Sequence, residues 1–206
     1  MTNFQFDPFI KALRVRRGSI PQDLYEDLIA AADASKTAGR IIPAAIGSVP
    51  WVTVAGGMLG LREMPGPKHN PRILEMWQAA KARWITDDET PWCGAFMALC
   101  MIRCGILPPT DAFRAISWST WGKACPPQYG AIGVKARTRG HHVFQIIGIT
   151  SDRKFYKARG GNQDNRVSDA DILIKDTFAI RWPASRPLAG IALPLLPHGP
   201  NGGNEA

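Results

Sequence analysis

The sequence predicts an α+β domain, with helices first and an antiparallel sheet after them. Three observations carry that prediction. Helix signals cluster between Pro50 and Cys104. Short β-rich runs, separated by turn residues, fill the stretch from Gly130 to Pro183. The 206 residues are 45% hydrophobic, which is enough to bury one core. Helices and strands that segregate along a chain, rather than alternate, give an α+β layer arrangement.

Residues 1–48 read as an N-terminal helical appendage. Within it, "SIPQDLYEDLIAAADAS" has Ser19 as a cap, Pro21 in the first turn, and Leu24, Leu28 and Ala31 as an apolar stripe. Residues 49–185 read as the main domain. A helix is expected over "WVTVAGGMLGL" (Trp51 to Leu61), ended by the turn-rich "REMPGPKHNP". Asn70 then caps "PRILEMWQAAKARW", with Pro71 in the first helical position. The third helix is expected to take Thr90 as cap and Pro91 as first residue. It should stop at Gly105, with Pro108 and Pro109 beyond. Strands are expected at "GAIGVKA", "HVFQIIGIT", "RKFYKARG" and "FAIRW". Residues 186–206, rich in Pro, Gly and Asn, read as a frayed tail.

The net charge is +8 and the isoelectric point about 9.6. Such a chain is drawn to polyanions, including a bacterial wall with its acidic polymers. The charge is scattered, however. Its densest cluster is "KALRVRR" (Lys11 to Arg17), with no aromatic-studded basic stripe, so a nucleic-acid partner is not expected. No run is long and apolar enough to span a bilayer, and stable membrane insertion is not expected either. The N-terminus lacks the charge-then-apolar order of a secretory signal, so synthesis in a cytoplasm without a signal peptide is expected. The four cysteines form no CxxC pair, and the four histidines lie in other segments. Disulfides, metal and cofactors are therefore not predicted.

The third predicted helix carries the chemistry. From Trp92 to Ile102 it is apolar nearly all round, as a buried helix is. Cys93 falls near its start, where unpaired N–H groups and the positive dipole end favour a thiolate. Cys100 and Cys104 lie further along without that field, and Cys125 lies in a loop. A thiolate nucleophile needs a histidine. His69 sits in a turn and His198 in the tail. His141 and His142 open a strand, where neighbours face opposite sides, so only one of them can face Cys93. A polar group then holds the imidazole. In "RGGNQDN" either Asn162 or Gln163 can do this, although a Gly-Asn turn between strands accounts for the same residues.

This order of cysteine, histidine and amide resembles the papain-like cell-wall cysteine hydrolases, the CHAP and NlpC types, and within them a phage and prophage endolysin-like family. The matching stretches are "PWVTVAGGMLGLREMPGPKHNPRI", "DDETPWCGAFMALCMIRCGI", "SWSTWG", a histidine followed by Val143, "GGNQ..VS" and a closing "RWP". They span residues 50 to 183. The resemblance implies a papain-like fold, with the nucleophile at a helix start packed on an antiparallel sheet. It implies a peptidoglycan hydrolase that cleaves an amide of the wall peptide, as amidase or endopeptidase. It carries over Cys93 as nucleophile, His142 as base and Asn162 as orienting residue. Trp92, Glu89, Trp118 and Gln163 are candidate substrate contacts, with Glu63, Asp88 and Trp121 beside them. The family's "GHVG" reads "GHHVF" here, which places a second histidine and a bulky ring at the site. A monomer is implied, acting on the wall after release through a separate membrane-permeabilising partner, a holin.

Other readings use the same residues. An antibacterial effector or a virion-associated lysin would share the chemistry, as would a cysteine acyltransferase or transglutaminase. A non-enzymatic wall-binding phage protein would have no need of the cysteine–histidine pair.

Overall fold

The structure, a computed structural model, describes residues 49–199. The predicted appendage at 1–48 lies outside the described residues, as do residues 200–206. Helix α1 spans Pro50–Gly56, α2 Pro71–Ala79 and α3 Cys93–Arg103. A 3-10 turn at Ala115–Ser119 leads into the strands. These are β1 (Lys123–Ala124), β2 (Ile132–Arg137), β3 (Gly140–Thr150), β4 (Phe155–Gly160), β5 (Ser168–Leu173), β6 (Thr177–Trp182) and β7 (Leu195–Leu196). One sheet runs in the order β1-β6-β2-β3-β4-β5, with every neighbouring pair antiparallel. The architecture is α+β, helices before strands.

The helix ends follow local chemistry. Asn70 caps α2 as expected, its side-chain oxygen accepting the Arg72 N–H at 3.0 Å. Both α1 and α2 are shorter than the apolar pattern predicts. After α1 the chain passes through a left-handed Gly60 (φ 83°), and the Gly60 N–H bonds the Val167 carbonyl at 2.9 Å. After α2, Lys81 takes φ 58° and ends the helix.

Helix α3 begins two residues later than expected. Thr90 is not its cap. The N–H groups of Glu89 and Thr90 both bond Asp87 Oδ1, at 3.1 and 2.6 Å, and close a separate turn. Trp92 is the cap residue, and its carbonyl accepts the Phe96 N–H at 2.9 Å. Cys93 is thus the first helical residue rather than the third. The far end stops at Gly105 (φ 66°) as predicted, with paired bonds from Gly105 to the Ile102 carbonyl and from Ile106 to the Met101 carbonyl, both 2.9 Å. Every residue from Cys93 to Met101 is buried. α3 packs against α1, α2, β3 and β4.

Strand β3 is the longest and lies inside the sheet. It pairs with β2 along Gly140–Gln145 and with β4 along Gln145–Ile149. Beyond the start of β2, β7 takes the vacated place and pairs in parallel with Ile149 and Thr150. The segment from 186 to 199 is therefore docked rather than frayed. The Ile191 carbonyl accepts the Tyr129 N–H at 3.1 Å, the Pro194 carbonyl accepts the Ile149 N–H at 3.0 Å, and His198 Nδ1 meets Asp171 Oδ2 at 2.9 Å. It packs closely on β3: a Cβ on Gly148 would sit 2.6 Å from Leu196 Cδ1.

Gly161 marks a close approach between the turn after β4 and the start of α3. A Cβ there would lie 2.5 Å from Trp92 Cζ3 and 2.6 Å from Phe96 Cβ, both on buried side chains. Gly161→Ala should lower the unfolding free energy by about 1–3 kcal/mol through overpacking. Urea unfolding checks this, and an unchanged midpoint would refute it.

Candidate active site

Cys93 and the strand that carries His142 meet at the edge that β4 leaves open. The β3–β4 ladder ends at Gln145↔Arg159, so the Val143 N–H lies beyond it. There the first turn of α3 comes against β3, and the Val143 N–H points to the Cys93 thiol. On another side of the same turn, Gly94 lets the loop before the 3-10 turn come close. A Cβ on Gly94 would lie 2.4 Å from the Phe113 carbonyl oxygen and 2.6 Å from that of Ala112.

Strand alternation separates the two histidines. His141 is exposed and meets Phe178 edge-on, with ring centroids 5.7 Å apart. His142 is fully buried and stacks on Phe144 at 5.9 Å. His142 Nε2 lies 3.0 Å from Gln163 Oε1. The Gln163 amide nitrogen donates to the Ser168 carbonyl at 2.6 Å and to the Ala158 carbonyl at 3.3 Å. That fixes the amide with its oxygen toward the ring, and an amide oxygen only accepts. His142 therefore carries its proton on Nε2. Nδ1 is left with the lone pair, and it is buried without a hydrogen-bond partner.

Gln163, not Asn162, is thus the residue that orients the imidazole, and it is fully buried rather than a substrate contact. Asn162 has φ 56°, which turns its side chain away. Its amide nitrogen donates to Glu63 Oε1 at 3.1 Å. The glycines beside the turn are required for this geometry: a Cβ on Gly160 would sit 2.6 Å from Gln163 Oε1 and 3.2 Å from His142 Nε2.

Other expected contacts move inward. Trp92 and Trp118 are fully buried. The Trp92 indole N–H bonds Glu63 Oε1 at 2.8 Å, and that of Trp118 bonds the Ala112 carbonyl at 2.8 Å. They are core rings with satisfied donors, not groove walls. Trp121 is half-buried, and its N–H bonds the Leu107 carbonyl at 3.0 Å. Asp88 is buried and accepts the N–H groups of Met64 and Asn70, both at 2.8 Å, so it ties a loop down. Glu89 is exposed. With Arg62, Glu63, Met64, Pro65, Asp164 and Asn165 it lines a cleft of about 610 Å³. That cleft borders the site through Glu63, which bonds the residue before Cys93 and the residue before Gln163.

Burial sets the protonation of the pair. It pushes the Cys93 thiol up from 9.0, against the Val143 N–H, the charge of Arg137 and the N–H groups of Gly94 and Cys93, which favour the thiolate. It also holds His142 well below 6.5. Arg137 adds to that effect, the Gln163 bond opposes it, and Lys135 adds further. The resting pair is therefore a neutral thiol and a neutral imidazole. All four cysteines are free, and among the described residues no group of His, Cys, Asp and Glu is arranged to hold a metal. No described helix is long and apolar enough to cross a membrane. In comparisons with known proteins, no family model, no curated protein and no solved structure matches this chain.

The depressed histidine has a measurable consequence. Below pH 6.5 the unfolded chain takes up a proton that folded His142 resists. Stability at this group is therefore complete above 6.5 and is lost as pH falls toward the folded value. His142→Gln should flatten that acid limb when unfolding free energy is measured from pH 7 to pH 5. An unchanged limb would show that His142 is not held neutral.

Proposed function

We propose that this chain is a cysteine-dependent peptidoglycan hydrolase of the endolysin kind, with a papain-like arrangement, cleaving an amide bond of the wall peptide. One observation carries the reading. A cysteine at a helix start meets the strand residue next to a buried histidine, and that histidine is fixed in the tautomer a base requires. Buried polar side chains normally find partners, so an unpartnered Nδ1 calls for a role.

The steps follow from that tautomer. His142 Nδ1 takes the Cys93 proton as Sγ bonds to the amide carbonyl carbon. The Cys93 N–H, unpaired within the first turn of α3, is a donor for the developing oxyanion. The C–N bond then breaks, and His142 returns the proton to the leaving amine. In the second half, water attacks the thioester with its proton taken by Nδ1, and the thiol is regenerated with a free carboxylate. Gln163 holds the ring throughout and supports the imidazolium that forms between steps. Cys93 is only 3% exposed, so the pair must open to admit substrate. The cleft lined by Glu63 and Glu89 borders the pair through Glu63.

The basic chain suits an acidic wall polymer. The proposed setting is release from the cytoplasm of a host bacterium, with a holin giving access to the wall.

Cys93→Ala should leave the fold intact and abolish solubilisation of purified peptidoglycan, while His142→Ala should cost about 10²–10⁴-fold in rate. His141→Ala should stay near the parent. Mass spectrometry of the released fragments identifies the bond. Lysis that survives Cys93→Ala, or a greater loss at position 141, would sink the assignment.

A further inference from the structure

We propose that Glu63 is a positioning residue for the Cys93–His142 pair, clamping the start of α3 to the turn that carries Gln163; this rests on the function proposed above. A single carboxylate oxygen, Oε1, accepts from Trp92 Nε1 at 2.8 Å and from Asn162 Nδ2 at 3.1 Å. Trp92 precedes Cys93. Asn162 precedes Gln163, which holds His142. The residue before Cys93 and the residue before Gln163 thus share one acceptor, although they are 70 residues apart in sequence (92 to 162).

The backbone holds Glu63 on this spot. Its N–H bonds the Asn165 carbonyl at 3.0 Å. Arg62 bridges to Arg166, and the Val167 N–H bonds the Leu61 carbonyl at 2.7 Å. Residues 60–63 therefore lie along the turn leading into β5. On the other side the Met64 N–H is tied to Asp88, four residues before Trp92. Glu63 stands where these two tethers meet, and it is half-buried.

Electrostatics assign the clamp to the acceptor oxygen rather than to the charge. Burial raises the pKa of Glu63, the Trp92 bond lowers it, and Asp88, Glu89 and Asp87 raise it again. A raised folded pKa means that stability is lost as pH climbs from 4.5 through the folded value, so at neutral pH the charge costs stability. A neutral amide of the same shape keeps the acceptor and removes that cost.

The test compares Glu63→Ala, Glu63→Gln and Asn162→Asp in the full chain. The readouts are kcat and KM on soluble wall peptides, the rate of Cys93 alkylation by iodoacetamide corrected with Cys93→Ser, and thermal melting. Glu63→Ala should lower kcat about tenfold to a hundredfold with KM little changed, since a small misplacement of reacting groups costs about that much. Its alkylation should slow as well. Glu63→Gln should recover most of that loss and melt no lower than the parent. Asn162→Asp removes the second donor, keeps a residue that tolerates the left-handed backbone, and should slow alkylation in the same direction. A parental alkylation rate in Glu63→Ala overturns the proposal. So does a Glu63→Gln loss as deep as that of Glu63→Ala, which would assign the role to charge. Alkylation is read without any wall substrate, so a parent that does not cleave peptidoglycan defeats the proposed function alone.

Discussion

Helix α3 has almost no face that can meet water, and the rest of the fold is arranged around that constraint. Its residues from Cys93 to Met101 are all buried. An amphipathic helix needs one cover, whereas an apolar one needs cover on every side. Here α1, α2, β3 and β4 supply it. What remains distinctive are the ends. At the C-terminal end the paired bonds of Gly105 and Ile106 close the open carbonyls. At the N-terminal end no side chain caps the helix. The N–H groups there are turned toward the sulfur of Cys93 instead, joined by the Val143 N–H from the strand. Burying the helix thus places a thiol where backbone donors converge.

The same burial works against ionisation. A thiolate and an imidazolium at full burial would cost more than their attraction returns unless the geometry were excellent. The structure resolves this by keeping both groups neutral and controlling only where the protons sit. Gln163 does that work, and Ser168 and Ala158 orient Gln163 in turn. Each partner in this chain can act in only one direction. The Ser168 and Ala158 carbonyls accept, so the Gln163 nitrogen faces them, its oxygen faces the ring, and Nδ1 is left basic. A base set up this way needs no resting ion pair. In the proposed hydrolysis, charge develops only when substrate supplies the carbonyl that uses it.

Much of this was legible in the residues. The apolar run marked the buried helix, Gly105 marked its end, and Asn70 with Pro71 marked the start of α2. Four strands showed as β-rich runs between turn residues. Elements determined by distant partners did not show. "SDADIL" has two aspartates in six residues, yet it forms β5, because Arg159 pairs with Asp169 on the edge and Lys157 with the buried Asp171. The segment after 186 carries the composition of a loose tail, but its backbone is taken up by β3 and by Asp171. Thr90 has the chemistry of a cap, but Asp87 claims its N–H first. In each case a contact distant in sequence, or a competing local bond, decided the outcome.

The site itself turns on one-residue distinctions. His141 and His142 share chemistry, and strand alternation sends one to solvent and the other inward. Asn162 and Gln163 share an amide, and a left-handed backbone at Asn162 sends one to Glu63 and leaves the other for the imidazole. Composition can nominate both pairs as partners of Cys93 but cannot choose within them, because each choice depends on register and backbone sign. Gly160 and Gly161 show why the choice is firm. A side chain at either would occupy the space of Gln163 or of Trp92, so the turn is packed closely on both sides. With Gln163 confined in this way, Asn162 is left at the surface of the turn, within reach of the carboxylate that also holds the residue before Cys93. The amide that sequence order nominates for the imidazole becomes the link between the two halves of the site.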